Sequence, residues 1–297
     1  MEFNRNFTPK YGECETLSPG VRRVLAQNPG PFTFYGTGSY IIGKGEVAVI
    51  DPGPHIPSHI DNILNALSPK ETVSHILVTH THADHSSGVS LLQSKTGAPT
   101  FGFGPHGGVS EPSESMEAGV DRDFVPDFFL DDGEKLQGAN WTIEAVHTPG
   151  HCSNHLCFAF ENENTLFCGD HLMAWSTTVI LPPDGSVGAY LESLHKLKAR
   201  SESIYFPTHG AAITNPKEYI EQTIAHRQSR IDEIKTALCD SAQTLSTLRQ
   251  RFYPDIQSSL HVAAECSIMA SLTYLIELGT VSADADDTRY FLKAGHN

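Results

Sequence analysis

The sequence predicts an α/β protein with two βα-rich halves of similar size and a helical tail. Three observations carry that expectation. Short apolar runs of strand composition alternate with helix-length amphipathic runs between residues 32 and 206. His and Asp residues fall just past the ends of those runs, beside Gly or Pro, where a loop on a rigid scaffold presents chemistry. From about Pro216 the spacing turns helical: Ile220, Ile224, Arg227, Ile231, Ile234 and Leu238 recur at alternating four and three steps. Two such halves imply two facing sheets with helices outside, layered about one core.

In chain order, Phe32-Thr33-Phe34-Tyr35, Tyr40-Ile41-Ile42 and Glu46 to Ile50 read as strands. Asp51-Pro52-Gly53-Pro54 breaks the pattern. Helix signals run from Ser58 to Leu67, and a strand ends at Val78. After Asp84 one helix is expected through Val89, Leu91 and Leu92 to about Lys95, ended by Gly97. Residues 102–126 are rich in Gly, Pro, Ser and Glu. A structureless stretch of that length in a compact domain is functional or disordered, and a substrate-covering loop is the expectation, with His106 a solvated histidine within it. The second half repeats the theme with strands over Trp141–Val146, Leu156–Phe160 and Thr165–Cys168. A helix near Ala189–Leu197 and a strand over Ile204–Phe206 complete it.

The tail adds helices over Leu245–Phe252 and Ser258–Leu278, the second with Val262, Cys266, Met269, Thr273 and Ile276 on one face and Gly279 at its end. A short hairpin follows over Val281–Lys293. Helix, helix, helix, hairpin is a winged-helix-like plan. The expected division is therefore a catalytic domain over 1–215 and a helical module over 216–297.

His80-Thr81-His82-Ala83-Asp84-His85 packs four metal-ligand candidates into six residues, directly after Ile76-Leu77-Val78. His80 and His82, two apart in extended backbone, face the same side. Asp84 and His85 follow where the chain turns and approach from another direction. Further candidates arrive in series: His151 closing His147-Thr148-Pro149-Gly150-His151, Asp170 after Gly169, and His209 within Pro207-Thr208-His209-Gly210.

These residues resemble the metallo-β-lactamase superfamily. The match runs from Gly36 to about His209 and contains, in order, Asp51-Pro52-Gly53, the hexapeptide, His151, Gly169-Asp170 and Thr208-His209-Gly210. It is specific for the fold and weak for the substrate. Within the superfamily the chain looks similar to the glyoxalase-II-like hydrolases. Asn28-Pro29-Gly30-Pro31, Gly36-Thr37-Gly38-Ser39-Tyr40 and the helical extension bring it nearest to the β-lactamase-like protein 2 group. Ser87 stands where many members carry Gly.

The resemblance implies an αββα four-layer sandwich with the winged-helix-like module appended. It implies that His80, His82 and His151 hold a first metal, that Asp84, His85 and His209 hold a second, and that Asp170 bridges them. Neutral imidazoles and carboxylates suit zinc, so two Zn²⁺ per chain are expected. A hydroxide between them would attack the substrate, with Asp84 orienting it or passing its proton. Asp51 would stand behind the ligands and orient the hexapeptide loop, with Thr79 and Thr148 in similar supporting work. His147 and His155 read as supports, since seven ligands already complete two sites. His171 and Trp175, following Asp170, are candidates for the substrate pocket wall.

The expected activity is hydrolysis of a small ester, thioester or lactone in the manner of glyoxalase II. The alternatives are a metal-dependent endoribonuclease or phosphodiesterase and a mononuclear iron persulfide dioxygenase. Flavodiiron oxidoreductases are excluded, because they place Glu where His82 stands and carry a flavin domain. Complete ligands argue against an inactive metal-binding scaffold, and a lactam substrate has little support without a signal peptide.

Lys plus Arg is 20 against 35 Asp plus Glu, a net charge of −15. That disfavours nucleic acid, RNA included, as does the tail with 8 Lys or Arg against 11 Asp or Glu from Lys217 onward. Packing on the catalytic domain, closing the site, or contact in a homodimer are the roles expected of the module. The polar N-terminus and the lack of an apolar run near ~20 residues point to a cytoplasmic protein with no membrane partner, acting on a small-molecule substrate. Six cysteines without a CxxC read as reduced thiols. Cys168 is expected to fill a core strand and Cys152 to be incidental to the site.

Overall fold

The computed structural model describes residues 1–107, 119–286 and 288–293. Two mixed sheets form its centre. The first has seven strands in sequence order: β1 (Cys14–Ser18), β2 (Val21–Leu25), β3 (Gly38–Ile42), β4 (Glu46–Ile50), β5 (Thr72–Leu77), β6 (Thr100–Gly102) and β7 (Phe128–Phe129). The second has five: β8 (Lys135–Gln137), β9 (Thr142–His147), β10 (Leu156–Phe160), β11 (Thr165–Gly169) and β12 (Ile204–Pro207), in the order β12-β11-β10-β9-β8. Pairing is antiparallel from β1 to β4 and parallel from β4 to β7. Only the β11–β12 pair is parallel in the second sheet.

Strands β3 and β4 are apolar on both faces because both faces are covered. Tyr40, Ile42, Ala48 and Ile50 point inward and meet Ile143, Phe158, Phe167 and Phe206 of the second sheet. Ile41, Val47 and Val49, one residue out of phase, point outward to Ile60, Ile63 and Leu92. Those three belong to α1 (Pro57–Asn65) and α3 (Val89–Thr96). The outer face of the second sheet carries α4 (Val187–Lys198), α5 (Pro216–Asp240) and α7 (His261–Glu277), with Cys157, Leu166 and Cys168 against Leu194, Ile220 and Leu272. The order is helices, sheet, sheet, helices, as the resemblance implies.

The tail contains α5, α6 (Leu245–Phe252) and α7, then β13 (Val281–Ala283) paired antiparallel with β14 (Tyr290–Leu292). Thr244 and Thr247 close α6 with reciprocal bonds at its start. The apolar layer is continuous from α4 through α5 to α7, so the tail shares a core with the second sheet. Among the described residues no helix is long and apolar enough to cross a membrane. Cys168 sits within the core.

Three expectations need correction. Phe32-Thr33-Phe34-Tyr35 is a turn: Thr33 Oγ1 bonds Asn28 O at 2.6 Å, Gly36 N bonds Thr33 O at 2.8 Å, and Phe34 takes φ +55°. The single helix after Asp84 is two, α2 (Ala83–Ser86) and α3, parted at Ser87-Gly88. A Cβ on Gly88 would lie 2.8–3.0 Å from the carbonyl oxygens of Pro52, Gly53 and Pro54, so that corner locks onto the loop after β4. Strands β1, β2, β6, β7 and β8 are missing from the sequence reading. They are short or carry charge: in β2, Arg22 is paired with both Glu71 oxygens at 2.9 Å, and Arg23 with Glu15 Oε2 and Gly210 O at 2.5 and 2.9 Å.

Candidate metal centre

The ends of β4, β5, β9, β11 and β12 meet along one edge of the sandwich. His80, His82, Asp84 and His85 follow β5, His151 follows β9, Asp170 follows β11, and His209 follows β12. All seven are buried or nearly so. Three overlapping groups form whose ligand atoms all lie within 4.8 Å of one another: His80, His82 and His151; His80, His85 and Asp170; and Asp84, His85 and His209.

The first group is a convergence of ring nitrogens. His80 Nε2 lies 2.9 Å from His82 Nδ1, and His151 Nε2 lies 3.0 Å from the same atom. A tetrahedral zinc with Zn–N of about 2.0–2.1 Å spaces its nitrogens about 3.3 Å apart, so this triangle needs little adjustment around a cation. His82 presents Nδ1 where its neighbours present Nε2. Burial first, and the crowding of neighbouring imidazoles second, hold His80 and His82 well below the usual histidine range, which favours the neutral form that binds metal.

The second group is acidic. His209 Nε2 lies 3.2 Å from Asp84 Oδ2 and 3.4 Å from Asp170 Oδ2. His85 Nε2 lies 3.6 and 3.5 Å from the same two oxygens. Burial alone would depress both imidazoles, but the surrounding carboxylates raise His85 well above its ordinary value and His209 to about 10. Burial would likewise raise Asp84, yet His85 and His209 bring it down to about 2. Without a metal, protons on these imidazoles balance the carboxylates.

The residues fit bound cations on a specific ground. His85 Nε2, His209 Nε2 and Asp170 Oδ1 are buried with no directed hydrogen bond, despite the oxygens nearby. The opposite ring nitrogens of the two histidines are committed, as is that of His151: His85 Nδ1 donates to Asp51 Oδ2 at 2.8 Å, His209 Nδ1 to Gly36 O at 3.0 Å and His151 Nδ1 to Val179 O at 2.6 Å. A carbonyl or carboxylate oxygen only accepts, so each Nδ1 carries a proton, and each Nε2 faces the centre, where a bound cation would take the place of any proton it holds.

Asp51, at the end of β4 and itself at φ +50°, gathers the loops. Its carboxylate accepts from Thr79 N and Thr79 Oγ1 at 2.8 Å, from His85 Nδ1, and from Thr208 Oγ1 at 3.1 Å. Thr79 Oγ1 in turn lies 3.0 Å from His80 Nδ1. Behind Asp170, His155 Nε2 accepts from Asp170 N at 3.2 Å, and its Nδ1 meets Thr148 Oγ1 at 2.9 Å. His147 stacks on Phe103 at 3.9 Å and bonds Ser153 O at 3.0 Å, away from the cluster.

Neither His171 nor Trp175, the expected wall residues, is among the described residues that line the cleft above the cluster. His171 is wholly buried against Tyr190, because the chain turns inward after Asp170. Trp175 stacks on Phe34 at 4.7 Å, over Gly210. The cleft above the cluster is lined instead by Phe32, Met173 and Val179, with His82, Asp84, His151, Asp170 and His209 at its floor. Sequence reading missed these three because no pattern marks which residues of a turn face a site. His106 is not simply solvated: its Nδ1 lies 3.2 Å from Thr81 Oγ1, and its ring 6.3 Å from that of His82. The expected covering loop falls partly on residues 108–118, outside the described residues.

Gly36 shows how tightly one ligand is held. It takes φ +130°, and a Cβ there would lie 2.1 Å from Ala26 O. Gly36→Ala is expected to cost about 1–3 kcal/mol of stability and to loosen His209, whose Nδ1 bonds Gly36 O. Urea denaturation with matched metal analysis checks this; an unchanged midpoint and metal content would contradict it.

Residues 33–209 match the metallo-beta-lactamase superfamily. Lactamase-like protein notP of Aspergillus sp. (strain MF297-2) is 31% identical over 248 residues, covering 82% of this chain and 71% of that protein. Atrochrysone carboxyl ACP thioesterase of Aspergillus terreus (strain NIH 2624 / FGSC A1156) is 34% identical over 217 residues, covering 72% of this chain. The chain spans only 62% of that thioesterase's length. Among solved structures, a metallo-beta-lactamase family protein from Thermus thermophilus superposes with a TM-score of 0.75 at 25% identity, covering 94% of this chain and 100% of that one. A beta-lactamase domain protein from Burkholderia ambifaria gives 0.80 at 19% identity over 98% and 97% of the two chains, a likeness of fold that takes in the helical tail. The chain belongs to the metallo-β-lactamase superfamily, and it is a hydrolase of that superfamily with buried His and Asp groups able to hold metal.

Proposed function

We propose that this chain is a binuclear zinc hydrolase of thioesters with an apolar acyl group. The observation that carries the reading is the cleft: Phe32, Met173 and Val179 stand over the seven-residue cluster, and no Lys or Arg is among its described lining residues. A phosphodiester or a glutathione conjugate brings anionic groups that call for cations beside the site. An apolar acyl group needs only the apolar wall. The relatives named as acyl-carrier thioesterases support the same bond type.

His80, His82 and His151 would hold one zinc, Asp84, His85 and His209 the other, with Asp170 between them. When bound, the zinc pair would supply Lewis acidity and water activated near neutral pH. The protein's part is orientation and exclusion. Phe32, Met173 and Val179 would seat the acyl chain and keep bulk water off the carbonyl. Asp84, on the cleft floor, would hold the proton of the attacking water. Water adds to the carbonyl carbon, the C–S bond breaks, and the thiolate takes a proton to leave as thiol beside the free acid. The tail packs on the second sheet and would act as support for the catalytic part, with no role in reading nucleic acid.

One panel tests this: acyl thioesters of N-acetylcysteamine with acetyl, hexanoyl and aromatic acyl groups, a glutathione thioester, a lactone, a lactam, a phosphodiester and single-stranded RNA. Apolar acyl thioesters should exceed the acetyl thioester in kcat/KM by a factor of about 10 or more. A chelator should abolish turnover and zinc restore it. Cleavage of phosphodiester or RNA with no thioester turnover would overturn the proposal.

A further inference from the structure

We infer that Arg227, on α5 of the helical tail, is a positioning residue that clamps the segment carrying the bridging carboxylate. It is the one charged residue in the inward row Ile220, Ile224, Arg227, Ile231, Ile234, Leu238. A guanidinium in that row is costly, and its Nε is buried with no partner. A buried donor without a partner is unfavourable, so packing alone gives no reason for an Arg here.

Its contacts lead to the metal centre by two routes. Arg227 Nη2 donates to Thr178 O. The single hydroxyl hydrogen of Thr178 is shared between Asp170 O and His171 O, each 2.9 Å from Oγ1. The next residue, Val179, supplies the carbonyl that accepts from His151 Nδ1 at 2.6 Å. By the second route, the guanidinium lies 5.2 Å from the centre of the Tyr190 ring. Tyr190 OH donates to His171 O at 2.9 Å, and the Tyr190 backbone packs so closely under Gly150, beside His151, that a Cβ on Gly150 would lie 2.4 Å from Tyr190 Cα. One guanidinium thus braces the backbone on both sides of the gap between His151 and Asp170. Arg227 touches neither ligand; it acts through Thr178 and Tyr190.

This inference rests on reading the cluster as a metal centre. The test is zinc affinity of the full chain by chelator competition, with the melting temperature of the metal-free protein measured alongside. Arg227→Gln should lower zinc affinity by about tenfold, the lower end for residues behind metal ligands. Arg227→Lys, which keeps a donor for Thr178 O, should stay within about threefold of the parent. Thr178→Val removes the relay without touching α5 and should lower affinity to the same degree as Arg227→Gln, so the inference remains testable if that variant fails to fold. Unchanged affinity in Thr178→Val, or a drop in melting temperature without loss of affinity in Arg227→Gln, overturns the clamp. A parent protein that holds no zinc overturns the clamp and the metal reading together, whereas tight zinc in parent and variants alike overturns the clamp alone.

Discussion

Asp170→Asn should lower hydrolysis by roughly three orders of magnitude and leave the fold in place. Asp170 Oδ2 lies 3.4 Å from His209 Nε2, 3.5 Å from His85 Nε2 and 4.0 Å from His151 Nε2, so it reaches both lobes of the centre. Burial would raise this carboxyl, yet His209 and His85 hold it well below the carboxylate range, and it offers full negative charge where two cations would repel. Asparagine keeps the shape and removes the charge. Metal catalysis contributes several kcal/mol of transition-state stabilisation, and each 1.4 kcal/mol is about tenfold in rate. The decisive measurements are thioester turnover, metal content per chain and circular dichroism. Parent-like turnover together with parent-like metal content would remove Asp170 from the centre.

Asp51→Ala should be the most destabilising single change near the site, although Asp51 lies behind the ligands. The carboxylate accepts four hydrogen bonds, from Thr79 N, Thr79 Oγ1, His85 Nδ1 and Thr208 Oγ1, all within 3.1 Å. It therefore ties the loops after β4, β5 and β12 together. Removing it strands a buried backbone N–H and a buried imidazole. Losing one partner of a buried pair costs about 3–5 kcal/mol, and losing the group that orients a ligand costs about 10–100-fold in metal affinity. Asp51→Asn separates the two effects: its NH₂ or its single oxygen must face His85 Nδ1–H while Thr79 still needs acceptors, so one donor goes unpaired. It should recover part of the stability and less of the affinity. Urea denaturation of the metal-free protein with zinc competition reads both. Stability within about 1 kcal/mol of the parent in Asp51→Ala would show that the loops hold without this hub.

The cluster of candidate ligands was legible because its chemistry is local in type and regular in placement. His80 and His82 share a face by strand periodicity, and His151, Asp170 and His209 each follow a strand end. The central strands were legible for a similar reason: β3, β4, β10 and β11 are mostly apolar, buried runs, and covered strands must be apolar on both faces. What failed was short, charged or turned. β2 reads as Val-Arg-Arg-Val-Leu, and only the folded chain supplies Glu71, Glu15 and Gly210 O to satisfy its arginines. Phe32 to Tyr35 has strand composition, yet bonds from Thr33 and Gly36 fold it into a turn that brings Phe32 to the cleft.

The sequence by itself determined which residues can bind metal and roughly where along the chain they sit, because residue type and strand-end position are both written locally. Only the tertiary structure decided which ring nitrogen each histidine presents. That choice depends on Gly36 O, Val179 O and Asp51, partners between 28 and 173 residues away from His209, His151 and His85. It also decided that an arginine from the tail braces the loop of Asp170, since a contact between α5 and Thr178 spans 49 residues and leaves no periodic trace.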